Sequence, residues 1–310
     1  MSADVTTAHH PASIGLCLSG GGFRASFYAL GALRYIAEAG LFDRVTAISG
    51  VSGGSIAAAA LGDRWEQFRD AGGDGDGFVE QIDAPFRNTV TTTNVRNRWM
   101  LNSVAALVPF TGGRGGAYAR TLANCLYEHG RVADLPAHPE FIFTSTDLSK
   151  GRAFRVSPAY IGSHDYGYIE PTPTSVGLGT AVAASAAFPP SFTVVNLKTS
   201  RLAFPTAPPR TLSLVDGGVY DNLGLEWFQG WGEDAVRPVA AGKPDFIIVV
   251  NASGPLTVKD RSFGPLRAFS RDLSIQYQQS LNLRVRWNDE RMTAEPGTGV
   301  YMAIRSDPRS

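Results

Sequence analysis

The sequence predicts an α/β fold, a three-layer α/β/α arrangement around a mostly parallel central sheet, on three observations. A short apolar run at 14–18 leads through Ser19-Gly20-Gly21-Gly22 into Phe23, Phe27, Leu30, Leu33 and Ile36, spaced for one helix face and stopped by Gly40. A second unit follows at once: a short β-branched run at 45–49, the turn Gly50-Val51-Ser52-Gly53-Gly54, and an alanine-rich stretch at 55–61. Two successive βα units imply parallel pairing. The third observation is Phe246-Ile247-Ile248-Val249-Val250, an unbroken apolar run suited to a strand covered on both faces.

The other elements are placed around this core. Strands at 141–144 and 212–215 complete the sheet. An alanine-rich helix at 180–188 is halted by Pro189-Pro190, and 204–210 reads as a proline-rich surface loop. Between 62 and 116 regular patterning weakens around glycine clusters at 72–77 and 112–116, which predicts caps, lids and loops. Residues 1–12 are expected to be a flexible leader. Residues 13–310 are expected to form one domain, with 62–139 as its lid or cap; a chain of 310 residues that is 44% hydrophobic can supply one large core.

Composition removes several function classes. Lys plus Arg and Asp plus Glu both total 28, so no global field draws the chain to nucleic acid or to an anionic membrane, and any lipid affinity is local. Cys17 lies in an apolar run and Cys125 in a helical stretch, which indicates neither a disulfide framework nor a metal site and fits a reducing compartment. Residues 1–12 lack a basic stretch followed by an apolar core, and no segment reaches the roughly 18 apolar residues of a membrane span. The expected location is cytoplasmic or peripheral at a membrane surface; the oligomeric state is not readable.

Candidate chemistry begins at Ser52. A serine hydroxyl is a poor nucleophile unless held exposed beside a base, and a strand-turn-helix elbow with glycine two residues before and after provides that exposure. Gly50 and Gly54 stand at those positions, and the Gly53 N–H at the start of the next helix is a candidate oxyanion donor. The five-residue pattern alone also describes an ordinary βα turn. In the earlier turn, the three consecutive glycines Gly20, Gly21 and Gly22 leave the backbone unshielded, so the amides of Gly21 and Gly22 are candidates for the rest of an oxyanion hole.

Rival readings of that turn fail on particular residues. A dinucleotide site needs an acidic residue at the end of the second strand, where Ser49-Gly50 stands, and a phosphate loop needs a Gly-Lys-Ser/Thr ending. Arg24 opens the helix, where the dipole disfavours a cation; an anionic substrate group would explain it, as would pairing with a surface carboxylate.

The base is harder to find. The histidines are His9, His10, His129, His138 and His164, so no histidine follows residue 164, and Asp147 with His164 is only formally a triad. The run at 212–215 instead delivers Asp216 to a strand end followed by Gly217-Gly218. As base, Asp216 would take the serine proton in concert with attack. The same tripeptide is also a common Asx turn.

Together, Ser19-Gly20-Gly21-Gly22-Phe23-Arg24, Gly50-Val51-Ser52-Gly53-Gly54 and Asp216-Gly217-Gly218 resemble the patatin-like phospholipase family. So do Ala184-Ser185-Ala186-Ala187-Phe188-Pro189-Pro190 and Val219-Tyr220-Asp221-Asn222-Leu223-Gly224, which extends the resemblance over about 14–252. It implies a lipid acyl hydrolase with a Ser52-Asp216 dyad, an oxyanion hole at Gly20 to Gly22, no cofactor and no metal. The implied partner is a phospholipid or other acyl ester met in transient membrane contact. Ser19 replaces the aspartate of many members; with Phe23-Arg24 it is more like the related cytosolic phospholipase A2 domain, where the corresponding arginine binds substrate phosphate. A general carboxylesterase or acyltransferase, and a catalytically silent lipid-binding module, are the alternatives.

Three weaker features are read plainly. Asp74-Gly75-Asp76-Gly77 does not fit the ligand spacing of a calcium loop and is expected to be a flexible loop. Arg96, Arg98, Trp99, Met100, Leu101, Val104, Leu107 and Phe110 would suit a basic-edged apolar helix lying on a bilayer, covering an acyl pocket, or packed in the core. Arg271, Arg284 and Arg286 near Trp287 read as a solvated face.

Overall fold

In the computed structural model, the first apolar run is a fully buried strand, β1 (Ile14–Leu18), and its side chains alternate between two cores. Residues 11–92, 113–128, 130–188, 194–229, 244–254 and 264–304 are described. The expected leader and the expected helix of Arg96 to Phe110 lie outside them, apart from residues 11 and 12.

Helix α1 (Gly22–Glu38) buries Ala25, Ala29, Leu33 and Ile36 along one face. It ends at Gly40, whose φ of +64° lets Gly40 N–H reach the Ala37 carbonyl at 2.9 Å and Leu41 N–H reach Ile36 at 3.0 Å. Strand β2 (Val45–Val51) follows, then α2 (Gly53–Asp63), in which every residue is buried. Its alanines at 57–60 let this helix sit between the sheet and two neighbouring helices, α1 and the helix Leu178–Ser185.

The stretch predicted as loops is helical where described. Helices α3 (Trp65–Asp70) and α4 (Gly75–Phe78), a π turn (Val79–Asp83) and α5 (Ala84–Thr92) pack Phe68 edge-on against Phe42 and Phe78. The glycines there are punctuation between short helices: Gly72 and Gly73 have positive φ and close α3, and the Asp74 carboxylate caps α4 by accepting from Gly77 N–H at 2.9 Å. The expected flexible loop is therefore a capped turn. Helix α6 (Gly113–Leu126) lies against α7 (Leu178–Ser185).

Among the described residues ten strands form one sheet: β3 (Glu140–Asp147), β4 (Arg152–Val156), β5 (Ile161–Ser163), β6 (Gly167–Ile169), β7 (Val195–Lys198), β8 (Thr211–Asp216), β9 (Phe246–Asn251) and β10 (Gly299–Ala303) join β1 and β2. The order β10-β9-β1-β2-β3 is parallel throughout. Beyond it β4, β5 and β6 continue antiparallel, and β8 with β7 pairs onto β3 antiparallel. The short partners β4 to β7, and β10, escape a search for long apolar runs.

Both sheet faces are covered. Leu16, Ile48, Phe141, Phe143 and Ile248 face α1, α2 and α7, whereas Cys17, Ala47, Ile142, Ile247 and Val249 face Leu225, Phe228 and Leu281. The second group lies around α8 (Gly218–Asp221), α9 (Glu226–Gln229) and α10 (Pro265–Ala294). This is the three-layer α/β/α fold. Among the described residues no helix is long and apolar enough to cross a membrane, and no cluster of His, Cys, Asp and Glu is able to hold a metal ion.

Candidate active site

The site is set by how two strands share one edge of β3. Strand β2 runs parallel to β3 and ends with Val51 opposite Thr144. Strand β8 takes up the same edge at the next residue, antiparallel, with Asp216 opposite Ser145. The C-terminal ends of β2 and β8 therefore meet head to head, and the residues that follow Val51 and end β8 are Ser52 and Asp216. Asp216 was expected at the C-terminal end of a sheet strand; it is there, on a strand that runs against the parallel core.

Ser52 is the one non-glycine residue with positive φ among those described, at φ 53° and ψ −117° immediately before α2. Such backbone persists only when its surroundings hold it. The glycines of this elbow are required by close approach: a Cβ on Gly50 would lie 2.8 Å from Ser55 Cα, and one on Gly54 would run into the Leu18 carbonyl of β1. The first amides of α2 have no partner inside the helix, so Gly53 N–H is presented beside Ser52.

Asp216 is 1% exposed. Its carboxylate accepts from Gly218 N–H at 2.7 Å and lines the same cavity as Ser52. Burial pushes its pKa up to about 6, against which the Ser52 hydroxyl and Gly218 N–H pull down. The two histidines among the described residues, His138 and His164, are exposed and line no part of the site. Asp147 is occupied elsewhere, accepting from Tyr166 Oη at 2.9 Å and from Ser149 N–H at 2.9 Å.

Ser52 and Asp216 open onto a cavity of about 280 Å³. Gly21, Gly22 and Gly53 line its polar end, and Phe23, Ile56, Tyr118, Ala186, Phe188 and Tyr277 supply an apolar wall. Gly20 does not offer an amide to this space: its N–H donates to the Asn222 carbonyl at 3.0 Å. The expectation of a donor at Gly20 is thus corrected by a competing backbone bond. What Gly20 contributes is proximity, since a Cβ there would lie 3.2 Å from Ser52 Cβ.

A clamp holds the glycine turn from below. Tyr277 Oη of α10 donates to Asn222 Oδ1, Asn222 Nδ2 donates to Ser253 Oγ at 2.5 Å, and Ser253 Oγ donates to the Gly20 carbonyl at 3.2 Å. Ser19 Oγ accepts from Ala252 N–H at 2.8 Å. Burial, and then the Asp216 charge, push the Tyr118 and Tyr277 phenols upward, so both stay protonated. The sequence did not single out Tyr118 or Tyr277; neither sits in a turn pattern, and both reach the site from helices distant in the chain. Asn222 belongs to the segment Val219 to Gly224, and its place four residues after Gly218 is the signal the sequence offers.

Arg24 does not line the cavity. Its guanidinium is 3.5 Å from the Ala252 carbonyl and beside Gly254, and among the described residues it forms no ion pair with a carboxylate. Arg284, expected on a solvated face, is turned inward instead, its side chain 11% exposed: it donates to the Tyr220 carbonyl at 2.6 Å and lies 3.5 Å from Asp221 Oδ1.

Several solved structures are similar to this chain. Human GIVD cytosolic phospholipase A2 in complex with methyl gamma-linolenyl fluorophosphonate and terbium chloride is similar at 17% identity and a TM-score of 0.47, over 77% of this chain and 40% of that one. A second structure of human GIVD cytosolic phospholipase A2 gives 15% identity and a TM-score of 0.46, over 87% and 46% of the two chains. VipD from Legionella pneumophila gives 14% and 0.38, over 96% and 63%. The chain thus spans less than two thirds of the length of each of these structures. No curated protein matches. The family model for patatin-like phospholipase matches residues 16–227, which is more than half of the chain and takes in both glycine turns, α7 and the end of β8. The chain belongs to the patatin-like phospholipase family.

Proposed function

We propose that this protein is a lipid acyl hydrolase of the phospholipase A type, working through a Ser52-Asp216 dyad. The observation that carries the reading is Ser52, on its positive-φ elbow, and the buried Asp216 carboxylate opening together onto an apolar cavity. Ser52 Oγ attacks the acyl carbonyl while its proton passes to Asp216. A carboxylate with a pKa near 6 is a better proton acceptor than an ordinary one and remains ionised at neutral pH. The developing oxyanion is met by amides of Gly21, Gly22 and Gly53, aided by the starts of α1 and α2.

Collapse expels the alcohol, which takes the proton from Asp216, and leaves Ser52 acylated. Water then attacks the acyl-enzyme, giving its proton to Asp216, and the Ser52 hydroxyl is restored with release of the fatty acid. Neither half needs a cofactor or metal. The apolar wall suits a fatty acyl chain. The headgroup would lie outside the cavity, and contact between its phosphate and Arg24 is part of this proposal.

Incubation of wild type, Ser52→Ala and Asp216→Asn with phosphatidylcholine vesicles, reading released fatty acid, tests the proposal. Release by wild type and its loss by at least about 10³-fold in each variant is expected. A folded wild type that binds the vesicles yet releases nothing would favour the silent lipid-binding module. If Arg24→Ala lowers turnover of phospholipid and of a neutral ester equally, the phosphate contact is wrong and a general carboxylesterase is the better description.

A further inference from the structure

Ser185, at the end of α7, is fully buried and carries its hydroxyl into the seam where β2 and β8 meet. Its Oγ lies 3.0 Å from Ser52 N, 2.6 Å from Ser55 Oγ and 2.6 Å from the Thr144 carbonyl oxygen. Counting protons fixes the direction of all three bonds. A carbonyl only accepts, so the single Ser185 proton goes to Thr144. A backbone N–H only donates, so Ser52 fills one Ser185 lone pair, and the Ser55 hydroxyl must donate into the other. The Ser185 hydroxyl is saturated, and each of its partners depends on it.

The same turn also holds the acid. Gly217 N–H donates to the Ser185 carbonyl at 3.1 Å, and Asp216 N–H donates to the Ala187 carbonyl at 3.1 Å. One turn therefore grips the backbone of both Ser52 and Asp216 from behind, while Ser185 itself lines no part of the cavity. Ser52 precedes α2 and its φ of 53° needs an external hold, which the bond from its N–H to Ser185 provides.

We infer that Ser185 is a positioning residue for the nucleophile: its Oγ locks Ser52 N–H and so fixes the turn that aims the Ser52 hydroxyl at Asp216. The inference rests on the Ser52-Asp216 reading above. It has a corollary for the oxyanion hole, since the Ser52 amide is spent on Ser185 and the developing charge must be met by other amides.

The test compares Ser185→Ala, Ser185→Cys, Ser55→Ala and Ser52→Ala on a chromogenic nitrophenyl ester of a medium-chain fatty acid, with thermal melts of each. Ser185→Ala is expected to lower kcat by about 10²-fold, the scale of a small misplacement of a reacting group, with KM within about twofold. The acid limb of its pH profile should move toward higher pH, because a misplaced Ser52 hydroxyl no longer helps to hold the Asp216 pKa down, while the bond from Gly218 N–H stays. Ser55→Ala removes a hydroxyl from the same cluster and should cost similar thermal stability, yet hold kcat within about threefold because the Ser52-Ser185 bond survives. Ser185→Cys, whose sulfur accepts weakly, should fall between wild type and Ser185→Ala. Should Ser185→Ala not fold, Ser185→Cys against Ser55→Ala decides, the expected loss of kcat being confined to the former.

Wild-type kcat in Ser185→Ala or Ser185→Cys would overturn the inference, as would equal loss of kcat in Ser55→Ala and Ser185→Ala in step with their melting temperatures. Ser52→Ala separates the two levels of the account. If it is inactive while Ser185→Ala is unimpaired, only the positioning role fails; if it keeps wild-type turnover, the dyad fails and the positioning role with it.

Discussion

At the scale of single residues, the proposed chemistry rests on a carboxylate that is almost wholly buried and faces only the cavity it lines. Burial raises Asp216 from its ordinary 3.8 to about 6, so its ionised form costs folding free energy on the order of 3 kcal/mol. The folded state holds this proton more tightly than the unfolded one. Stability is therefore lost as pH rises from about 4 to about 6, and the cost is fully present above. Asp216→Asn should accordingly be more stable than wild type in urea melts at pH 8 and little different at pH 4, while losing turnover; equal stability at both pH values would contradict the placement. The acid limb of wild-type kcat/KM should fall as pH drops through about 6, because only the ionised form accepts the serine proton. Ser52 and Asp216 were legible in the sequence because each ends an apolar run and is followed by glycines. Ser185 as a support for Ser52, Tyr118 and Tyr277 as cavity wall, and the spent amide of Gly20 were not, since each depends on a bond or contact with a residue far away in the chain.

Among elements, the decisive arrangement is the head-to-head meeting of β2 and β8 on one edge of β3. The parallel βα units were legible because their strands are buried on both faces and their helices begin at glycine turns. The direction of β8 was not, because apolar runs report burial and say nothing of which neighbour a strand pairs with or in which sense. Likewise the glycines at 72–77 are helix boundaries, which local composition cannot tell from a loop. The elbow depends on α2 approaching β1 closely, so Gly54→Ala, whose methyl would meet the Leu18 carbonyl in the middle of the sheet, should destabilise by about 1–3 kcal/mol and slow modification of Ser52. A melt and a labelling time course read both effects; a variant labelled at the wild-type rate would mean that the elbow tolerates displacement.

For the molecule as a whole, the C-terminal part closes the site although it lies beyond the family-matched span of 16–227. Helix α10 brings Tyr277 to the cavity and Arg284 to Asp221, a carboxylate whose side chain is 2% exposed and which also accepts from Leu223 and Glu226 N–H. Removing that counter-charge leaves Asp221 buried with the backbone bonds alone, so Arg284→Ala should cost about 3–5 kcal/mol and lower the melting temperature clearly. An unchanged melt would show that α10 is held by packing without this pair. From sequence, Arg284 stood in a run of arginines that reads as surface, because charge patterning does not reveal which cation is turned inward. The central claim, that this whole assembly exists to activate Ser52, is tested most directly by exposing the native protein to an alkyl fluorophosphonate and mapping the adduct by mass spectrometry. The account predicts one adduct, on Ser52, formed in step with loss of hydrolysis and absent from Ser52→Ala; full inactivation with the adduct on another residue, or hydrolysis persisting once Ser52 is fully modified, would contradict it.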